Sequence, residues 1–231
     1  EQVHSYTSAD AQRFANRHYR PDNAVFFAYG DIPFERLVQH IERLEYRDVP
    51  STAEETSPQY QISSLKPQIT SPHHQAHVML GTRTFAADDE RRMPLFLLNN
   101  ILGGPGMNAR LNLALRERRG LVYTVESNMT TYSDTGVWAI YFGCDHEDVK
   151  RCLRLVRHEL DRIADKPLSE RQLTAAKRQL KGQLDIAADN HEQFALDIAR
   201  TFLHEHREHH ISQLFRQIDA VTSAQLQQLA Q

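Results

Sequence analysis

The chain has 231 residues, 40% hydrophobic and 25% charged, and 27 Lys plus Arg against 30 Asp plus Glu give a formal charge of −3. This composition excludes a disordered, collagen-like or disulfide-dense chain, and a balance so near neutral leaves no electrostatic footprint for a nucleic-acid backbone. No apolar run reaches the roughly 18 residues that a membrane-spanning helix requires, and the two cysteines, Cys144 and Cys152, show neither CxxC nor metal-ligand spacing and leave the compartment open.

Residues 7–19 open with Thr7 and Ser8 beside Asp10, which predicts a helix start, and Arg20-Pro21-Asp22 stops it. Residues 23–30 (NAVFFAYG) form a compact apolar run between turn residues, the pattern of a buried strand. A helix follows Pro33, with Leu37, Val38 and Ile41 on one face. Between residues 46 and 75 the periodicity dissolves. Pro50, Pro58, Pro67 and Pro72 forbid a continuous helix, so this stretch reads as an interdomain linker.

Residues 76–85 alternate like a strand, and Asp88, Asp89 and Glu90 precede a helix whose body, 93–102, is apolar on nearly every side and therefore buried. Gly103-Gly104-Pro105-Gly106 ends that helix, Asn108 is placed to cap a second one running through Arg118, and Gly120 breaks it. Residues 121–131 and 137–144 flank Asp134-Thr135-Gly136, the signature of an antiparallel hairpin. Beyond Asp145 apolar residues recur at helical spacing, from Val149, Cys152 and Val156 to Leu173, Leu180, Phe194 and Phe202. Strands grouped before a run of helices predict an α+β fold, an antiparallel sheet with helices packed on one face.

Three constellations are candidates for chemistry. His206 and His210 stand four apart in FLHEHREHH, with His204 and His209 around them, but neither His-Glu-x-x-His nor His-x-x-Glu-His is complete, so a solvated helix end is the better reading. His73 and His77 have the same spacing but follow Pro72, which removes the helix they would need. The glycine loop 103–107 lacks the basic residue and preceding strand of a phosphate cradle. It fits a helix C-cap, or a loop thin enough for an extended peptide to approach the backbone. Arg116 near a helix end and Tyr123 near a strand start, with Gly120 between them, could offer donors to a peptide carbonyl or to the oxyanion formed on attack. Tyr123 also fits a core position with a wet tip, because Leu121, Tyr123 and Val125 alternate onto one face, and the pattern alone favours that packed role.

In this order, HYRPDNAVFFAYGD, LGGPGMNARL and LRERRGLVYTVES resemble the pitrilysin, insulinase and mitochondrial processing peptidase family of inverzincins. The match lies in a glycine loop close in wording to that of the substrate-handling processing peptidase subunit, a Tyr seven residues after a helical Arg, and a Tyr-x-Pro-x-Asn strand formed by Tyr19, Pro21 and Asn23. The resemblance implies two α+β repeats enclosing a peptide in a chamber. Residues 1–45 would be the tail of the first, metal-bearing repeat, 46–75 the linker, and 76–231 the metal-free, processing-peptidase-like second repeat. It further implies that Arg116 and Tyr123 are catalytic donors to the substrate and transition state, that Gly103, Gly104, Gly106 and Met107 bind substrate, and that no metal is held here. The zinc of the complete enzyme would be bound by a His-x-x-Glu-His upstream of Glu1, a first residue with neither initiator Met nor leader, as expected of a processed form or a piece of something longer.

On this reading the chain is the C-terminal part of a zinc metalloendopeptidase acting on short or unfolded peptides, inactive alone. Its partners would be a peptide substrate and either the upstream repeat or a paired subunit, as a homo- or heterodimer, with no nucleic acid or membrane. The alternative within the same family is a non-catalytic partner subunit or peptide-binding scaffold. A free-standing α+β small-molecule binder is the third possibility, distinguished by an enclosed pocket and a stable monomer.

Overall fold

The structure, a computed structural model, describes residues 5–28, 30–43, 75–205 and 210–231. The described chain divides into two compact units, one within residues 1–69 and 190–208, the other within 70–189 and 209–231.

In the first unit, helix α1 (Ser8–His18) begins where the sequence predicts. The Thr7 hydroxyl accepts from the Asp10 backbone N–H while the Asp10 carboxylate accepts from the Thr7 N–H at 2.8 Å, a reciprocal cap. Helix α2 (Phe34–Glu42) follows Pro33, and helix α6 (His191–Glu205) completes the unit. No residue of α1 or α2 is buried.

The strand expected over residues 23–30 is not found among the described residues. A 3-10 turn over Pro21–Asn23 runs into extended backbone at Ala24, and residues 24–28 pair with no strand among the described residues. A strand exists only by virtue of its ladder partner, and here Phe26 stands 64% exposed. The expected linker at 46–75 falls outside the described residues except for Gln75.

The second unit holds the core. Strands β1 (Ala76–Thr84), β2 (Val122–Thr131) and β3 (Gly136–Cys144) form an antiparallel sheet in the order β1-β3-β2. Ile140 lies opposite Leu80 on one side and Ser127 on the other. Side chains alternate across a strand, so Ile140, Phe142 and Cys144 point together into the interior. Helix α3 (Arg92–Gly103) packs on β2 and buries Leu97, Leu98 and Leu102. Each fully buried side chain of this kind stabilises the fold by about 1.5–3 kcal/mol.

Two polar clasps fix α3 on the sheet. The Ser127 hydroxyl donates to the Asn99 carbonyl at 2.9 Å, and the Trp138 indole donates to the Asn99 side chain at 2.9 Å. Helices α4 (Val149–Asp165), α5 (Glu170–Ala188), α7 (Ile211–Ala220) and α8 (Ser223–Ala230) complete the layer. α5 starts on a Ser169–Gln172 capping box and α8 on a Thr222–Gln225 one. This is the expected α+β arrangement. None of the described helices is long and apolar enough to cross a membrane.

One predicted cap is replaced. The helix expected from Asn108 begins at Arg110 and runs as a π-helical turn over Asn112–Glu117. Asn108 faces α5 instead, its amide exchanging two hydrogen bonds with Gln179 at 2.8 and 3.1 Å, while the Asn112 amide donates to the Met107 carbonyl at 2.8 Å.

Candidate functional site

The residues from Arg116 to Tyr123 join the π-helical turn to β2. The Arg118 N–H bonds back to the Leu113 carbonyl at 3.2 Å, five residues away, which is the wide spacing of a π-turn. The Gly120 N–H then donates to the Arg116 carbonyl at 2.7 Å, and the Leu121 N–H to the Leu115 carbonyl at 2.9 Å. Closing the chain this sharply requires φ +61° at Gly120, the left-handed region that glycine enters without a Cβ penalty. Arg119 anchors the turn through the Ala114 carbonyl at 2.8 Å. Arg116 is exposed, and its side chain makes no hydrogen bond or ion pair among the described residues.

Tyr123 is not the core residue that strand alternation suggests. Val122 pairs with Cys144 and Thr124 with Gly143, so Tyr123 is the extra residue of a β-bulge. Leu121 and Val122 are buried, whereas Tyr123 is turned out and 56% exposed. Its hydroxyl donates to the Asp145 carboxylate at 2.9 Å. That hydrogen bond, then the Asp145 charge, hold the phenol above its ordinary pKa, with Gln75 pulling weakly the other way. The group therefore stays protonated, a hydrogen-bond donor, across the neutral range. Asp145 was not a candidate from sequence. It reaches Tyr123 only because the β2–β3 register sets the end of β3 beside the bulge.

The glycine loop serves packing first. A Cβ on Gly103 would lie 2.5 Å from the Ser127 backbone nitrogen, one on Gly104 2.3 Å from the Asn100 side-chain oxygen, and one on Gly106 2.5 Å from the Asn108 side chain. Gly103 is buried against β2, Gly104 and Gly106 are half-buried, and Met107 projects into solvent at 72% exposure.

Among the described residues no three His, Cys, Asp or Glu side chains gather as a metal site would require. His206 and His209 lie outside the described residues, as does the side chain of His204. His210 is exposed just before α7. His73 also lies outside them, and His77 sits on β1 with its Nδ1 2.7 Å from the Tyr141 hydroxyl. Cys144 and Cys152 are buried free thiols, and burial pushes Cys152 up to about 12.

The family model described as the peptidase M16 inactive domain matches residues 5–180. The chain is 30% identical over 81% of its length to a protein named an uncharacterized zinc protease of Streptomyces coelicolor, covering 42% of it. A similarly named protein of Mycobacterium tuberculosis is 28% identical over the whole chain, which covers 53% of that relative. The chain thus spans about half the length of the curated relatives it matches. Among solved structures, a protease from Helicobacter pylori superposes with a TM-score of 0.81 at 17% identity, over 99% of this chain and 56% of that one. The peptidase M16 inactive domain from Pseudomonas fluorescens superposes with a TM-score of 0.61 at 25% identity, over 69% and 38%.

Proposed function

The chain belongs to the M16 peptidase family, as the domain described as inactive, and from that premise we propose that it supplies the substrate-gripping half of a zinc metalloendopeptidase. In this reading residues 1–45 end a metal-bearing repeat, 76–231 form the metal-free one, and the two enclose short or unfolded peptides. The described residues offer no ligand set for zinc, so the metal would be held by the other repeat, in the same or a paired chain. The apolar segment around the exposed Phe26, which pairs with no strand among the described residues, suits a strand whose sheet belongs to that repeat.

The observation that carries the proposal is the Tyr123 bulge. It lifts a protonated phenol out of the strand and holds it on a carboxylate in the open, a few residues from an exposed and uncommitted guanidinium. A hydrogen bond at the surface exchanges readily for one to a ligand, because water competes for both partners. Tyr123 would turn from Asp145 to the scissile carbonyl oxygen, and Arg116 would orient the peptide and offset the developing charge. Met107 would present a flexible thioether to side chains of varied shape.

The test is Tyr123→Phe in the complete protein, assayed on short unfolded peptides. Loss of one donor to a developing oxyanion costs about 10²–10³ in kcat with little change in KM. An unchanged kcat would remove Tyr123 from the reaction.

A further inference from the structure

Away from the Arg116–Tyr123 turn, a cleft of about 220 Å³ opens between the end of α3, the start of the π-helical segment and α5. Ile101, Leu168, Ala175 and Ala176 give it a short aliphatic wall, and its polar side chains are the Arg110 guanidinium, the only charged group on it, and the carboxamides of Asn100, Asn108, Gln172 and Gln179. Asn100 is only 7% exposed and lines the cleft, yet its carboxamide has no hydrogen-bond partner among the described residues. Among those residues the sole polar side-chain atom both sealed and unbonded is the Thr84 hydroxyl, so the Asn100 amide faces the open volume that it lines. An amide that meets only water in a cleft can exchange that water for a ligand atom without losing a hydrogen bond.

Arg110 lies on the same wall, half-buried, with no ion pair or side-chain hydrogen bond among the described residues. Its desolvation is the dominant influence on it, opposed by the Glu159 charge and reinforced by Arg162. Glu159 is already committed, its carboxylate accepting from Arg162 at 3.0 Å, so two guanidiniums share one buried carboxylate. A cation withdrawn from water without its own counter-ion favours an incoming anion. Asn108 and Gln179, paired with each other across the cleft, each spend one amide N–H in that pair and keep a second.

We propose that this cleft binds a carboxylate carried on a small aliphatic body, with Arg110 as the charge partner and the Asn100, Asn108 and Gln179 amides as the orienting donors. A peptide's C-terminal residue and a free short-chain acid share that chemistry. The site is independent of the role given to Tyr123, and its test involves no cleavage.

The experiment is a titration of the chain with N-acetyl-alanine, with N-acetyl-alaninamide as the uncharged control and butyrate as the free-acid arm, followed by the side-chain amide resonances of Asn100, Asn108 and Gln179. The acid should move all three and bind at least ten-fold more tightly than the amide. Arg110→Gln should abolish that preference and Arg110→Lys retain part of it. Tighter binding of N-acetyl-alanine than of butyrate identifies a peptide terminus, and the reverse identifies a free acid. Should Arg110→Gln perturb folding, Ala175→Leu, which fills the exposed part of the cleft and leaves the charge, must weaken N-acetyl-alanine binding at least ten-fold. Equal binding of acid and amide, immobile Asn and Gln amides, or saturation unaffected by Ala175→Leu would overturn the site.

Discussion

Two glycine-bearing bends lie on either side of the π-helical segment, and glycine is required in them for opposite reasons. At 103–106 the backbone is crowded, with β2, Asn100 and the Asn108–Gln179 pair pressed against each Cα. At Gly120 nothing lies within 4 Å of where a Cβ would stand, and the requirement is φ +61° alone. The first bend is part of the core and the second presents the exposed Arg116 and Tyr123. Glycine in a sequence therefore reports either closeness or curvature, and only the neighbours tell which.

Gly103→Ala tests the crowded bend hardest. Its Cβ meets a backbone nitrogen of β2, which cannot swing aside, so α3 must lift from the sheet. A loss of about 3 kcal/mol is expected from such overpacking, read as a lowered urea midpoint. Gly120→Ala should cost less, about 1 kcal/mol, from the left-handed backbone alone, and Gly120→Asn less again. If Gly120→Ala proved the more damaging of the two, the distinction between closeness and curvature would fail.

Smaller still is the effect of Tyr123→Phe on stability, expected within about 0.5 kcal/mol because the ring and its bond to Asp145 are exposed. A residue important to activity and nearly silent in unfolding is what a site on the open bend should look like.

The last expectation is spectroscopic. Asp145→Asn should lower the pH at which the Tyr123 phenol ionises, seen in the alkaline absorbance difference between this variant and Asp145→Asn combined with Tyr123→Phe. The folded chain holds this proton more tightly than the unfolded one. The associated stabilisation is complete below the ordinary tyrosine range and fades as pH rises through the raised folded value. A titration unmoved by Asp145→Asn would show that the carboxylate does not set it.

Much of this architecture was legible along the chain. Thr7 with Asp10 three residues on marked the start of α1, and Asp134-Thr135-Gly136 between alternating segments marked the β2–β3 hairpin. These features were readable because the interacting groups are close in sequence and their geometry is fixed by helical or hairpin period. The strand expected over 23–30 is not found among the described residues for the complementary reason, since apolar character specifies a wish to pair and not the presence of a partner.

Asn108 looked like a cap because local spacing allowed one, but Gln179 on α5 offers its amide two hydrogen bonds where a helix terminus offers one. Tyr123 looked like a core residue because alternation was counted without the bulge, which shifts every later side chain of β2 by one step relative to β3. The sequence by itself determined the α+β class and most elements of the second unit, and its resemblance to a family singled out the pair of residues on which the functional proposal rests. The tertiary structure alone decided that Tyr123 faces water beside Asp145, and that Asn100 and Arg110 line one cleft with their polar groups uncommitted. Pattern along a chain encodes which face a residue prefers, whereas exposure and partnership depend on register and packing between segments far apart in number.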